Sequence, residues 1–297
     1  MSELPIVSIV CSCYNHRDYV IDSIKSVLSQ LYVNIELIVV DDFSSDDSVQ
    51  VIKNFLISYP EVRFIQNKSN LGLNKSFNRA VKTSKGEYLI DLAADDLLLP
   101  HSVQCLVGVF LKAKNPNLAL VFGNATDIDK NKVLGRNIIN DLMIPKIHQA
   151  VKNGYYKYLL KDSDYICSVS GLYNRRIFDE LNGYDENLNF EDLDYWLRAT
   201  KDYKILFVEH IVVYKRYLES SLGSGFAVSN DYTKKLQESF YLILEKAYFL
   251  NSNSDEYLAL LKRILEQSKW AIKTMCFKYL YLYVILYCKS CYKYLRV

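Results

Sequence analysis

The chain has 297 residues, half of them apolar, with 36 Lys+Arg against 34 Asp+Glu. That length can bury a sizeable core, and 24% charged residues with only 10 Gly and 5 Pro exclude a disordered or collagen-like chain. The charge is uneven: residues 262–297 hold eight basic side chains against Glu266 alone, a local +7, which leaves −5 on residues 1–261.

In chain order, β-rich apolar runs at Ile6–Cys13, Ile35–Asp41, Val62–Gln66, Tyr88–Leu92 and Leu118–Phe122 read as strands. Helical spacing falls between them at Tyr19–Gln30, Asp46–Tyr59, Leu73–Thr83 and His101–Ala113, with Ser44 or Ser45 as an N-cap before Asp46. Strand–helix alternation with runs apolar on both faces predicts an α/β fold with a mainly parallel sheet covered by helices. Such sheets bind ligands beyond the carboxyl ends of their strands. Residues 126–165 carry few signals. Helical patterns resume at Arg175–Leu181 and Asp192–Thr200, followed by a strand-like Lys204–Val208. From Asp231 onward the chain reads as helices without strand punctuation, so Ser220–Gly225 is the natural boundary between residues 1–225 and a helical region, 226–297.

The N-terminal stretch has no basic segment and no small-residue cleavage site, so no signal peptide is read. Seven scattered cysteines fit reduced thiols in a cytosolic protein. Cys288-Lys-Ser-Cys291 has C-x-x-C spacing, but no second ligand pair accompanies it, and it reads as two helical thiols.

No Walker A loop, early G-x-G-x-x-G, H-E-x-x-H or G-x-S-x-G is present. The chain has carboxylates at strand ends instead: Asp41-Asp42 and Asp95-Asp96. Two acidic pairs at the mouth of one sheet suit a hard cation that would hold a diphosphate, although Asp at a loop start is also an ordinary cap. A third pair, Glu191-Asp192, opens a helix. The dipole there favours an ionised carboxylate able to act as a base, or the pair is a plain first-turn charge.

Ordered motifs over residues 5–200 resemble the family 2 glycosyltransferases of the GT-A fold. They are Pro5-Ile-Val-Ser-Ile-Val-Cys-Ser-Cys-Tyr-Asn15, Ser23-Ile-Lys-Ser-Val-Leu-Ser-Gln30, Glu36-Leu-Ile-Val-Val-Asp-Asp-Phe-Ser-Ser-Asp46, Asn70-Leu-Gly-Leu-Asn74, Asn78, Gly86-Glu-Tyr, Asp95-Asp96, Gly183-Tyr-Asp-Glu186 and Glu191-Asp192. The resemblance implies inverting transfer of a sugar from a nucleotide diphosphate, UDP above all, to an acceptor hydroxyl. It puts base-binding roles on Ser12, Tyr14 and Asp42, ribose or diphosphate contact on Asp95, a divalent ion (Mn²⁺ or Mg²⁺) on Asp96, and the general base on Asp192. Two departures stand out. The position two before Asp95, acidic in many relatives, is Ala93. The loop expected after the last strand reads Tyr214-Lys-Arg-Tyr-Leu-Glu without the usual His, which leaves Arg216 or Lys215 to reach the diphosphate. No Q-x-x-R-W stretch of processive synthases is present.

Tyr279–Cys288 is uncharged but too short to span a bilayer. Lysines interleaved with aromatics fit an interfacial helix on an anionic membrane, with plain packing or an oligomer contact as the bland reading and no nucleic-acid motif in support of the basic patch. The expected setting is the cytoplasmic face of the cell membrane, with a glycan or lipid-linked acceptor in surface-polysaccharide synthesis (O-antigen, capsule or similar). A nucleotidyltransferase and a non-catalytic sugar-nucleotide-binding protein are the rival readings.

Overall fold

The computed structural model describes residues 4–162, 166–190, 192–218 and 231–297. The boundary expected at Ser220–Gly225, and Glu191 of the third acidic pair, lie outside the described residues. The first half alternates β1 (Val7–Cys13), α1 (Val20–Leu28), β2 (Ile35–Asp41), α2 (Ser48–Leu56), β3 (Arg63–Gln66), α3 (Leu73–Thr83), β4 (Tyr88–Ala93), β5 (Leu97–Leu98), α4 (Ser102–Ala113) and β6 (Leu118–Ile128). Then come β7 (Leu134–Asn137), α5 (Ile144–Asn153), α6 (Tyr156–Lys161), β8 (Gly171–Asn174), α7 (Arg175–Glu180), α8 (Asp192–Asp202) and β9 (Lys204–Arg216). Three helices close the described chain: α9 (Asp231–Leu250), α10 (Ser254–Lys273) and α11 (Phe277–Tyr294).

The strands form one sheet in the order β3-β2-β1-β4-β8-β6-β9-β5, with β7 beside β6. Its long ladders, β3–β2–β1–β4 and β6–β9, are parallel; short β8, β5 and β7 join antiparallel. The expected mainly parallel α/β architecture with a helical C-terminal region is therefore present. Alternate strand residues divide between two cores. Ile9, Cys11 and Val39 pack with α1, α2 and α4, whereas Val10, Ile38 and Leu89 pack with α3 and the later helices. Phe240, Ile243 and Leu244 of α9 and Tyr279 and Tyr283 of α11 bury in that second core with Phe77 and Tyr173.

Two expectations change. Asp46 rather than Ser44 or Ser45 supports the start of α2, its Oδ1 accepting the Ser48 N–H at 3.0 Å. The last strand runs to Arg216 instead of ending at Val208. Exposed Glu209 and His210 interrupt the apolar pattern because the ladder with β6 jumps from Phe122–Phe207 to Asn124–Ile211, so the extra residues bulge out before Ile211 resumes it. Tyr214, Lys215 and Arg216 are consequently strand residues held in register beside Thr126, Asp127 and Ile128.

Helix α3 fixes the segment between α7 and α8. Asn78 Nδ2 donates to Tyr184 O at 2.8 Å and Asn78 Oδ1 accepts the Tyr184 N–H at 3.1 Å, while Asn74 Nδ2 donates to Asp185 O at 2.7 Å. Gly183 has φ +64°, and a Cβ there would sit 2.7 Å from Asn78 Oδ1, so both conformation and space require glycine. Asn78→Leu should strand two buried backbone groups of Tyr184 and lower the unfolding free energy by about 3 kcal/mol, measured in urea; an unchanged midpoint would refute this tethering role.

Candidate active site

The parallel register aligns Cys13 with Asp41, and Ser12 with both Val40 and Ala93, so the loops after β1, β2 and β4 emerge at one edge of the sheet. Strand β1 lies where the connections diverge to either side, the position at which open α/β sheets bind ligands. Asp42, after β2, and Asp95, after β4, are separated by two strand spacings, roughly 10 Å.

On the β2 side, the Asp42 carboxylate is held by the segment after β3. Its Oδ1 accepts Asn67 Nδ2 and the Leu71 N–H, and its Oδ2 accepts the Gly72 N–H, each at 2.8 Å. The β1 and β2 loops are stitched together through Asn15, whose φ is +57°. Its N–H donates to Ser44 Oγ at 2.9 Å and its Oδ1 accepts the Ser45 N–H at 2.8 Å. That is where the two serines expected to cap α2 are used. Tyr14 is left exposed beside this loop, an open aromatic face above the edge of the sheet. Ser12 Oγ and Asp41 Oδ2 are buried without a hydrogen-bond partner, an unusual state for polar atoms that points to a ligand or solvent group here.

On the β4 side, the turn carrying Asp95 and Asp96 is clamped by the end of β9. The Arg216 N–H donates to Asp96 Oδ1 at 2.7 Å and Arg216 Nε to Asp95 O at 2.9 Å. Its Nη1 reaches Asp129 O and Lys130 O, and the guanidinium carbon lies 4.7 Å from the centre of the Tyr19 ring. Arg216, expected to reach the donor diphosphate, is thus buried and largely spent on backbone carbonyls, with Nη2 alone lacking a partner. His16 Nδ1, which sequence reasoning passed over, stands 4.0 Å from Asp95 Oδ1.

Lys215 is the cation that joins the acidic clusters. Burial works against its charge, but Cys167, Asp96, Asp192 and Asp127 hold the ammonium above its ordinary pKa. Asp96 is pushed well above the carboxylate range by burial and by the neighbouring Asp95, with the Arg216 N–H and the Lys215 and Arg216 charges opposing. Asp192, at the first residue of α8, is raised by burial; the Leu193 N–H, 2.6 Å from its Oδ1, and Lys215 pull it back. The structure therefore gathers Asp91, Asp95, Asp96, Asp192 and Lys215 into one electrostatic neighbourhood, with Asp42, Ser12 and Tyr14 across β1 from it. Among the described residues, no three His, Cys, Asp or Glu side chains converge as a ready-made metal cage. Asp95 and Asp96 offer hard carboxylate oxygens of the right class for a divalent cation, but its shell would need oxygens from a bound ligand or water.

Asp91 lies within β4, near enough to Asp192 for the two charges to interact. Burial raises its pKa to about 7, the Asp192 charge adds to this, and the Tyr184 hydroxyl, hydrogen-bonded to it, opposes. Only its odd position, an acid within an apolar strand, marked it in the sequence. Below about pH 4 the carboxyl is protonated in both folded and unfolded chains; as pH rises to 7 only the unfolded chain releases the proton, so Asp91 costs stability increasingly and in full above 7. Asp91→Asn should therefore leave the urea midpoint near that of the parent at pH 4 and raise it progressively to pH 8, by up to a few kcal/mol. A difference independent of pH would refute this account.

Comparison with known proteins places these features in a family. Residues 8–181, more than half of the chain, match the family described as Glycosyl transferase family 2. Chondroitin synthase of Escherichia coli is 28% identical over 206 residues, which cover 68% of this chain and 27% of the synthase. The chain spans 27 to 41% of the length of that protein and of three Rickettsia relatives. Among solved structures, Staphylococcus aureus TarS 1–349 in complex with UDP-GlcNAc superposes with a TM-score of 0.66 at 16% identity, covering 87% of this chain and 71% of that one. Mannosyltransferase PcManGT from Pyrobaculum calidifontis, in complex with GDP-Man and Mn²⁺, gives 0.61 at 12% identity, covering 99% and 88%. These likenesses support the GT-A fold, and by its sequence the chain belongs to glycosyl transferase family 2.

Proposed function

We propose that the protein transfers a sugar, with inversion, from a UDP-sugar to a hydroxyl of a glycan or lipid-linked glycan in the assembly of a surface polysaccharide at the inner face of the cell membrane. The observation that carries this reading is the register that brings the loops after β1, β2 and β4, with Asp42, Asp95 and Asp96, to one edge of the sheet, where the Arg216 N–H at the end of β9 holds the Asp96 carboxylate at 2.7 Å. The TarS structure in complex with UDP-GlcNAc supports the donor class, and the likeness to a chondroitin synthase supports a glycan acceptor.

In this reading the nucleoside lies along the β1–β2 edge. Tyr14 stacks on the base, Asp42 accepts an N–H of the base through a lone pair that Asn67, Leu71 and Gly72 leave free, and the partnerless Ser12 Oγ meets the nucleotide. The diphosphate extends toward Asp95 and Lys215, which takes the role that Arg216, spent on the β4–β5 turn, does not fill. A divalent cation held by Asp96, with Asp95 beside it, would neutralise charge on the departing diphosphate. Asp192 accepts the acceptor hydroxyl proton while that oxygen forms a bond to the anomeric carbon; the bond to the diphosphate oxygen breaks on the opposite face. One base and no enzyme nucleophile suffice, so configuration inverts. Burial raises the proton affinity of Asp192 while the Leu193 N–H and the Lys215 charge oppose the rise, opposing influences of the kind that tune a general base.

Asp192→Asn should lower transfer by about 10²- to 10⁴-fold while UDP binding stays within about threefold of the parent. Full activity in that variant would overturn the base assignment, and release of pyrophosphate rather than UDP from the parent would mark a nucleotidyltransferase. Asp96→Ala should abolish the part of UDP affinity that depends on added Mn²⁺, as read by calorimetric titration; an unchanged Mn²⁺ dependence would remove Asp96 from metal binding.

A further inference from the structure

Helix α11 has two opposed apolar faces. Tyr279, Tyr283, Leu286 and Ser290 are buried against the other helices, and the Tyr283 hydroxyl donates to Gln237 Oε1 at 3.0 Å. Half a turn away, Phe277, Tyr281, Val284, Tyr292 and Leu295 are each more than half exposed and follow steps of three, four or eight residues, so they form one stripe. Exposed Cys288 continues it. Lys278, Lys289 and Arg296 run along one margin of the stripe, 260–280° around the helix from the buried face. Ile272 and Met275, at the turn into α11, extend the exposed apolar surface.

We infer that this outward face of α11 docks flat on an anionic lipid bilayer. The charge pattern selects that occupant. Residues 262–297 carry eight basic groups, and their one acid, Glu266, is already paired with Lys269 at 2.7 Å. A second copy of the chain would press like charges together, whereas anionic headgroups would neutralise them. The stripe is the length of an 18-residue helix, about 27 Å, which lies in the interface with its tyrosines at headgroup depth. No helix among the described residues is long and apolar enough to cross a membrane. The inference deepens the proposed function by naming the side chains that face lipid, and it rests on that reading only for the acceptor it would bring near.

The test is flotation of the full chain with vesicles of phosphatidylcholine, alone or mixed with phosphatidylglycerol. The parent should float only with the anionic vesicles and release at about 1 M salt, where screening shortens the Debye length to about 3 Å. The triple variant Lys278→Glu/Lys289→Glu/Arg296→Glu should bind about 100-fold more weakly, at roughly fivefold for each basic group lost. Phe277→Ser/Tyr281→Ser/Val284→Ser should lose at least about tenfold, with an unchanged melting temperature because these side chains are exposed. In Tyr281→Trp, quenching of the added indole by brominated lipid should report its insertion. Failure of the parent to bind anionic vesicles, binding undiminished in both triple variants, or a dimer that the serine variant dissociates would each overturn the proposal. UDP titration of the same variants should match the parent. Loss of UDP binding in the parent with vesicle binding intact would refute the transferase reading alone.

Discussion

Arg216 is buried where four segments meet: the turn after β4, the loop between β6 and β7, the start of α1 and the end of β9. Its guanidinium hydrogen-bonds the carbonyls of Asp95, Asp129 and Lys130 and lies over the Tyr19 ring, while its backbone N–H caps the Asp96 carboxylate. A buried cation is tolerated only where carbonyl and carboxylate oxygens replace its water, and here those oxygens come from the segments that carry the acidic site. The clamp fixes the Asp95–Asp96 turn against β9. It thereby sets where the next residue back along that strand, Lys215, meets the other carboxylates.

The site is consequently an electrostatic compromise. Asp91, Asp96 and Asp192 are all held above the ordinary carboxylate range, each chiefly by burial, with Lys215 opposing the shift at Asp96 and Asp192. Such crowding costs stability and would serve no purpose in a merely structural cluster, where apolar side chains would pack as well. It fits a pocket that receives further positive charge when occupied.

Much of the α/β half was legible because strand ends and polar loops fall in step. Asp41, Ala93 and Cys13 close their strands within a residue of the apolar runs, so the acidic pairs at the sheet mouth follow from hydropathy alone. The C-terminal part of β9 was not legible, since Glu209 and His210 look like a loop until the bulge that expels them is known. With that strand misread, the pair Lys215 and Arg216 could not be told apart, although one faces the carboxylates and the other is buried in backbone. Asp91 escaped for a related reason: its importance lies in Asp192 and Tyr184, about a hundred residues away, and no local pattern carries such a partner.

The C-terminal helices bear on the site through α8. Lys246 of α9 bonds Asp185, and also Asp194 at 2.7 Å, which in turn pairs with Arg198; the Asn189 N–H donates to Ser239 Oγ at 2.9 Å. These links brace both flanks of Asp192, on one side the segment that presents Tyr184 and on the other the first turn of α8. The same three-helix layer that buries Phe240 and Tyr283 in the sheet core thus holds Asp192 in place with one side and exposes the α11 stripe with the other. Docking through that stripe would orient the sheet edge relative to the surface as a rigid unit, because the layer shares a continuous core with the strands that carry Asp91 and Lys215. A helical region joined only by a tether could anchor the chain but could not aim it.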